Sequence, residues 1–132
     1  MASVFTKIVN GELPAYKIAE NDKFLAFLDI NPLAEGHTLV IPKKEIDYLF
    51  DIEDDMLAEM TIFAKKIAKA LDKAIECKRV GVLVVGTEVP HAHIHLIPFK
   101  NEPQVCITAP KMKLSDKEMQ EIAERIKKYV EL

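Results

Sequence analysis

The feature that most restricts the fold of this chain is an alternation of histidine with apolar residues. His91, His93 and His95 occupy every second position, and apolar side chains separate and follow them: Ala92, Ile94 and Leu96. In a β-strand, residues i, i+2 and i+4 lie on the same face of the sheet. The alternation therefore predicts a strand over Ala92–Phe99, with three imidazoles together on one face and a second face that packs against a core.

Four further segments have the composition of strands. Three of them lie in the first third of the chain, over Ala15–Ala19, Phe24–Asp29 and His37–Ile41, with turn-forming residues between them. The fourth, Val80–Val85, is β-branched and apolar on both faces, which predicts a central strand. Because short connections group these strands, we expect a mainly antiparallel sheet of about five strands.

Three segments have helical periodicity. The longest, Asp54–Glu76, has one apolar face, with acidic residues at its start and lysines in its second half, as the helix dipole favours. A short helix is predicted over Ser3–Asn10, and a last one over Ser115–Val130, which begins at a capping box formed by Ser115 and Glu118. The sum is an α+β fold in which helices cover one side of the sheet.

Composition limits the class of protein. The 132 residues, 49% of them apolar, are enough for one domain with one sizeable core, so we expect a single domain over residues 1–132. The net charge of −3, without a separate basic cluster, argues against nucleic acid as a partner. The apolar run Val80–Val85 is too short to span a bilayer, and Cys77 and Cys106 form no C-x-x-C pair. We therefore expect a cytoplasmic protein without a membrane partner.

Three imidazoles on one face are a candidate site, and two interpretations compete. The first is a metal site, because a His-x-His pair can chelate an ion. However, His91 and His95 would lie about 13 Å apart along a strand, and no cysteine or H-x-x-x-H motif supplies further ligands. The second is an anion site in which a neutral imidazole acts as a nucleophile and its neighbours bind phosphoryl oxygens. The spacing favours the second interpretation.

The stretch from His91 to Ile97 resembles the signature of the histidine triad (HIT) family of nucleotide hydrolases and transferases. Two other parts of the chain are similar to the family in the same order: AFLDINP with GHTLVIPK over 26–43, and VFTKI with ELP over 4–14, which resembles the Hint branch. The resemblance covers about residues 3–99 and leaves residues 100–132 as a C-terminal extension. It implies a HIT-like fold with a long central helix, a short N-terminal helix and an extra C-terminal helix.

The resemblance also implies a role for each histidine. His93 would attack the α-phosphorus of a nucleotide and form a nucleotidyl-histidine that water then hydrolyses. Because one ring nitrogen attacks, we expect a backbone carbonyl to hold the other and fix the tautomer. His95 and His91 would contact phosphate oxygens or help the leaving group to depart, and His37 would support the triad from the neighbouring strand.

Further positions match the nucleotide-binding residues of the family. Asp29 would bind the ribose hydroxyls and Thr87 would donate to a phosphate. Six apolar residues match the slot for the base: Val4, Phe5, Ile8, Phe27, Leu28 and Ile30. Some bacterial members bind zinc through cysteines at the positions of Ser3 and Thr6, so a structural zinc is not expected here.

The resemblance thus implies hydrolysis of a purine nucleoside monophosphate derivative without metal or another cofactor. A phosphoramidate ranks above a dinucleoside polyphosphate because the amino-terminal segment is Hint-like. A homodimer would form through the helix Asp54–Glu76 and the strand Val80–Val85. Two alternatives stay open: a nucleotide-binding regulatory protein with little turnover, since Glu88 would repel a phosphate if it faced the site, and a metalloprotein with His91 or His93 as ligands.

Overall fold

The computed structural model describes residues 2–132, in which five strands form one antiparallel sheet. Along the chain these are β1 (Lys17–Glu20), β2 (Phe24–Leu28), β3 (Thr38–Pro42), β4 (Arg79–Leu83) and β5 (Ile94–Phe99), and their order in the sheet is β1-β2-β3-β5-β4. The α-helices are α1 (Val4–Val9), α2 (Asp54–Ala74) and α3 (Asp116–Lys127). These elements confirm the predicted α+β fold. No helix among the described residues has the length and apolar character to cross a membrane.

The larger core lies between one face of the sheet and the helices α2 and α3. Helix α3 joins this core through four buried residues: Met119, Ile122, Ala123 and Ile126. Its start is the predicted capping box, in which the Glu118 N–H donates to Ser115 Oγ and the Ser115 N–H donates to the Glu118 carboxylate, both at 3.1 Å. The C-terminal extension therefore packs on the same core as the central helix.

Helix α1 covers the opposite face of the sheet, so the prediction that helices cover one side only is wrong. Phe5 and Ile8 of α1 pack on apolar side chains from two strands: Leu25, Phe27, Leu39 and Ile41. All residues of β2 and β3 are buried, because each strand presents apolar side chains alternately to α1 and to the α2–α3 core. Two apolar faces need two covers.

Strand β4 is an edge strand, which corrects the prediction that Val80–Val85 is central. It pairs only with β5, whereas β5 pairs with both β3 and β4. Val82 is 66% exposed, and Val84 and Val85 after the strand are exposed as well. β-branched composition describes a pleated surface and does not specify how many neighbouring strands it has.

The strand that carries the alternating histidines begins later than the pattern predicts. β5 starts at Ile94, so His91 and His93 precede it, and the Ala92 N–H donates to the carbonyl of Ile46 at 2.7 Å, outside the sheet. The intervening apolar residues still face the α2–α3 core as expected: Ala92, Ile94 and Leu96. On the other side, the ring of Phe5 in α1 contacts the imidazoles of His91 and His93.

Candidate active site

The ring of His93 is oriented by one hydrogen bond to a nearby peptide group. Its Nδ1 lies 2.7 Å from the carbonyl oxygen of His91, and since a carbonyl can only accept, Nδ1 carries the proton. In the neutral ring, Nε2 is then unprotonated and keeps its lone pair. A carbonyl partner for one ring nitrogen is what we expect of a nucleophilic imidazole, and Nε2 is the atom left to react.

Gly86 lies directly against this reactive edge of His93. A Cβ added to Gly86 would lie 2.7 Å from His93 Nε2 and closer still to Cε1. The φ of Gly86 is +62°, which side chains of L-residues rarely adopt. Thr87, for which a phosphate contact was predicted, is exposed, whereas Gly86, for which no role was predicted, is in contact with the ring. In the sequence, the feature that could have indicated this contact was the presence of a glycine shortly before the triad.

A chain of two hydrogen bonds determines which ring nitrogen of His95 carries the proton. The Leu33 N–H donates to His37 Nδ1 at 3.0 Å, so the proton of the neutral His37 ring is on Nε2. His37 Nε2 lies 2.9 Å from His95 Nδ1 and donates to it, which leaves the His95 proton on Nε2. Among the described residues, His95 Nε2 is the buried side-chain polar atom without a partner. It is therefore a free N–H donor, and we expect an oxygen of a ligand to accept it.

The two linked histidines stay neutral at physiological pH. Burial, with the neighbouring His95 as the next cause, lowers the pKa of His37 from 6.5 to about 3. Burial also lowers the pKa of His95 to about 4, helped by His93. Since both rings are neutral near pH 7, each carries one proton. The hydrogen bond between them therefore runs from the His37 Nε2–H to the unprotonated Nδ1 of His95.

Asp29 completes this group on its outer side. One carboxylate oxygen accepts the Asn31 N–H at 2.8 Å, and the other lies 3.6 Å from His37 Nε2. Burial raises the pKa of the Asp29 carboxyl. The ligand atoms of Asp29, His37 and His95 lie within 4.8 Å of one another, and they are the one group with metal-ligand spacing in the part of the chain that the structure describes. An ion there would have to replace the hydrogen bond between the two imidazoles.

His91 is fully buried, and both of its ring nitrogens have protein partners. Nε2 donates to the Pro42 carbonyl at 2.7 Å, and Nδ1 accepts from Ser3 Oγ at 2.8 Å. No ring nitrogen is left for a phosphate oxygen, so the structure does not give His91 the contact that the resemblance implies. Its link to the site is its carbonyl, which holds His93.

The apolar residues expected around a base divide into three groups. Phe5, Ile8 and Phe27 pack in one cluster, and the ring of Phe5 lies edge-on at 5.0 Å from His93 and 5.5 Å from Phe27. Val4 and Ile30 are exposed, the latter by 71%. Leu28 lies in the α2–α3 core on the other face of the sheet, because it alternates with Phe27. The structure therefore separates Leu28 from the other predicted members of the slot.

Fold and site together define an α+β protein in which two buried imidazoles lie side by side, one hydrogen-bonded through Nδ1 to a carbonyl and the other with an Nε2–H donor that has no protein partner. The chain belongs to the histidine triad (HIT) family, since the family model described as HIT domain matches residues 10–102.

Relatives and solved structures agree with this family. The chain is 34% identical over 132 residues to a Schizosaccharomyces pombe protein named adenosine 5'-monophosphoramidase hnt1, covering 96% of each chain. It is 42% identical over 106 residues to a Saccharomyces cerevisiae protein named adenosine 5'-monophosphoramidase HNT1, covering 76% of this chain and 65% of the relative. A crystal structure of a HIT-like protein from Bartonella henselae has a TM-score of 0.83 at 32% identity and covers 97% of this chain and 96% of that one.

Proposed function

We propose that this protein hydrolyses the bond between the α-phosphorus and the leaving group of a purine nucleoside monophosphate derivative, a phosphoramidate foremost. The observation that supports this most is the pair of opposite tautomers in the site. His93 keeps an unprotonated Nε2, and His95 presents a protonated Nε2 without a protein partner. One can attack phosphorus while the other binds a phosphoryl oxygen. The names of the yeast relatives support the same reaction.

The reaction proceeds in two halves. The Nε2 lone pair of His93 attacks the α-phosphorus, a P–N bond to the ring forms, and the bond from phosphorus to the leaving nitrogen breaks. The His95 Nε2–H donates to a non-bridging oxygen, which stabilises the charge that develops there. Water then attacks phosphorus and the bond to His93 breaks. The leaving nitrogen takes a proton from solvent as it departs in the first half, and the attacking water returns a proton to solvent in the second half. Overall one water is consumed, with its hydroxyl on phosphorus and the amine released in protonated form.

Asp29 and the α1 face of the sheet serve the nucleoside. The Asp29 carboxylate accepts hydrogen bonds from the ribose hydroxyls, at the outer end of the His37–His95 pair. Phe5, Ile8 and Phe27 supply apolar contacts for the base, with exposed Val4 and Ile30 at the rim and the Thr87 hydroxyl on the phosphate side. The resemblance to the family supports these roles, while the position of Leu28 in the other core removes it from the proposal.

The test is AMP release from adenosine 5'-phosphoramidate without added metal, by the wild type and by His93→Ala. We expect the wild type to release AMP and the variant to be slower by about a thousandfold or more, since the variant lacks the attacking atom. Equal rates would refute the assignment of His93. AMP binding without release by either protein would favour a nucleotide-binding regulatory protein, and release from a dinucleoside polyphosphate alone would change the leaving group.

We further propose a homodimer built from one HIT domain per chain, with residues 100–132 as part of that domain. The unpaired edge of β4 and the exposed valines Val82, Val84 and Val85 support an interface in which the sheets of two copies join next to α2. Light scattering coupled to size exclusion tests this, because a monomer at micromolar concentration would refute it.

Two unpaired thiols, Cys77 and exposed Cys106, support a reducing, cytoplasmic location.

A further inference from the structure

A chain of hydrogen bonds connects the buried ring of His91 to an exposed carboxylate. His91 Nδ1 accepts from Ser3 Oγ at 2.8 Å, and Ser3 Oγ in turn accepts the Thr6 N–H at 3.0 Å. Thr6 Oγ1 donates to Glu45 Oε1 at 2.7 Å, and the same oxygen accepts the backbone N–H of Ser3 at 2.6 Å. The network joins four residues from three parts of the sequence through side-chain and main-chain groups.

We propose that Ser3, Thr6 and Glu45 are positioning residues for His93, acting through His91. They hold the ring of His91 in place, and so fix the peptide carbonyl that keeps the proton of His93 on Nδ1. The inference rests on the proposed function only in that His93 is taken to be the nucleophile. The hydrogen-bond geometry on which it stands is independent of any substrate.

The ring of His91 is held from two sides, and one short segment takes part in both. Its Nε2–H donates to the carbonyl of Pro42, the last residue of β3, while Glu45, three residues later, fastens Ser3 and Thr6. The hydrogen bonds from the Ser3 N–H and from Thr6 lower the pKa of the Glu45 carboxyl to about 2. The carboxylate is therefore a constant acceptor at every pH at which the enzyme would work.

Helix α1 also carries Phe5, a predicted contact of the base. A role of Glu45 in base binding can therefore be distinguished from a role in positioning the nucleophile. Phe5, between Ser3 and Thr6 in α1, lies edge-on against His93 and packs with Phe27. If Glu45 served only to seat α1 for the base, its loss would raise KM and leave kcat unchanged. If Glu45 positions the nucleophile, its loss lowers kcat, because a misaligned Nε2 reaches phosphorus less often.

The experiment compares Glu45→Ala, Glu45→Gln and Thr6→Val in AMP release from adenosine 5'-phosphoramidate. Alanine removes the acceptor, whereas glutamine keeps an oxygen that can accept both hydrogen bonds. We expect Glu45→Ala and Thr6→Val to lower kcat roughly tenfold with KM changed less than about twofold, and Glu45→Gln to stay within about threefold of the wild type. Glu121→Ala, at an exposed glutamate of α3, is the matched control and leaves kcat and KM unchanged.

A second readout does not depend on turnover. Long-range ¹H–¹⁵N spectra of the imidazoles report which ring nitrogen is protonated, and in the wild type we expect His91 protonated at Nε2 and His93 at Nδ1. Glu45→Ala should give a mixture of tautomers at His93, while Glu121→Ala keeps the wild-type spectrum.

The proposal would be overturned if Glu45→Ala kept the wild-type spectrum and kcat, or if it raised KM alone. An equal loss of kcat in Glu45→Gln and Glu45→Ala would also overturn it. If the wild type releases no AMP, the proposed function fails while the spectra still decide the positioning role. Mixed tautomers at His93 in Glu45→Ala then support that role, and a single tautomer refutes it.

Discussion

His37 and His95 share a hydrogen bond of 2.9 Å whose direction is set by a peptide group outside the pair. Because the Leu33 N–H occupies Nδ1 of His37, the proton between the rings belongs to His37, and His95 keeps its own proton on Nε2. The free N–H donor of His95 therefore depends on Leu33, in the loop between β2 and β3.

Replacing His37 with phenylalanine tests this relationship. The phenyl ring fills the space but donates nothing, so His95 would distribute its proton over both ring nitrogens. We expect kcat/KM for AMP release to fall by about tenfold to a hundredfold, because the donor to the phosphoryl oxygen is present only part of the time. Imidazole ¹⁵N shifts measure the distribution directly, and a variant with His95 still protonated at Nε2 alone would contradict the relay.

Acid should destabilise the protein before its carboxylates titrate. The pKa values of His37 and His95 are lowered from 6.5 to about 3 and about 4, so below pH 6.5 the unfolded chain binds protons that the folded chain does not. The free energy of unfolding therefore falls as the pH drops below 6.5, approaching about 1.4 kcal/mol per pH unit for each ring, and is constant in this respect above pH 6.5.

Urea unfolding at pH 7.5, 6.5, 5.5 and 5.0 measures this slope. The His37→Phe variant, which lacks one of the two rings, should show a shallower dependence than the wild type over the same range. A stability that stays flat from pH 6.5 to pH 5 in the wild type would mean that these imidazoles are protonated in the folded state.

Gly86 should be required for activity and not only for folding. Alanine there must adopt a φ of +62° and places a methyl group against His93 Nε2, so we expect a loss of at least about a hundredfold in kcat. Gly11→Ala is the matched control, because Gly11 has a φ of +80° with nothing near its Cβ position. It should lower stability by about 1 kcal/mol and leave AMP release intact. Equal losses of activity in both variants would point to backbone strain alone.

Leu28 and Ile30 should respond in opposite ways to truncation. Leu28 is 2% exposed in the α2–α3 core, so Leu28→Ala should lower the free energy of unfolding by about 2–5 kcal/mol and leave the affinity for AMP unchanged. Ile30 is 71% exposed, so Ile30→Ala should barely change stability. If Ile30 contacts the base, calorimetry will show weaker AMP binding in that variant alone. Weaker binding in Leu28→Ala would contradict its position.

Periodicity was enough to predict most of the fold. The alternation at 91–97 predicts which side chains face the α2–α3 core, and Ser115 with Glu118 marks the start of α3. Local patterns do not specify the partner of a strand, so Val80–Val85 reads as central although β4 lies at the edge. The same limit applies to Leu28, since a list of apolar residues matched to a slot ignores the two faces of a strand.

The site was predictable as a set of histidines but not as a set of tautomers. The expectation that a carbonyl holds His93 follows from the chemistry of a nucleophilic imidazole. The donors and acceptors that fix His95 and His91 come from Leu33 and Pro42, which only the tertiary structure brings beside the rings. Gly86 was missed because its contact with His93 depends on the path of a loop.

Three peptide groups fix the protons of the histidines: the His91 carbonyl, the Leu33 N–H and the Pro42 carbonyl. The protonation sites of the rings are thus set by main-chain groups, which act on His95 through His37. Side-chain substitutions around the site can therefore change which ligands fit while the tautomers of the histidines stay the same. Conversely, a distant change that shifts one of these peptide groups can silence the protein while all four histidines remain.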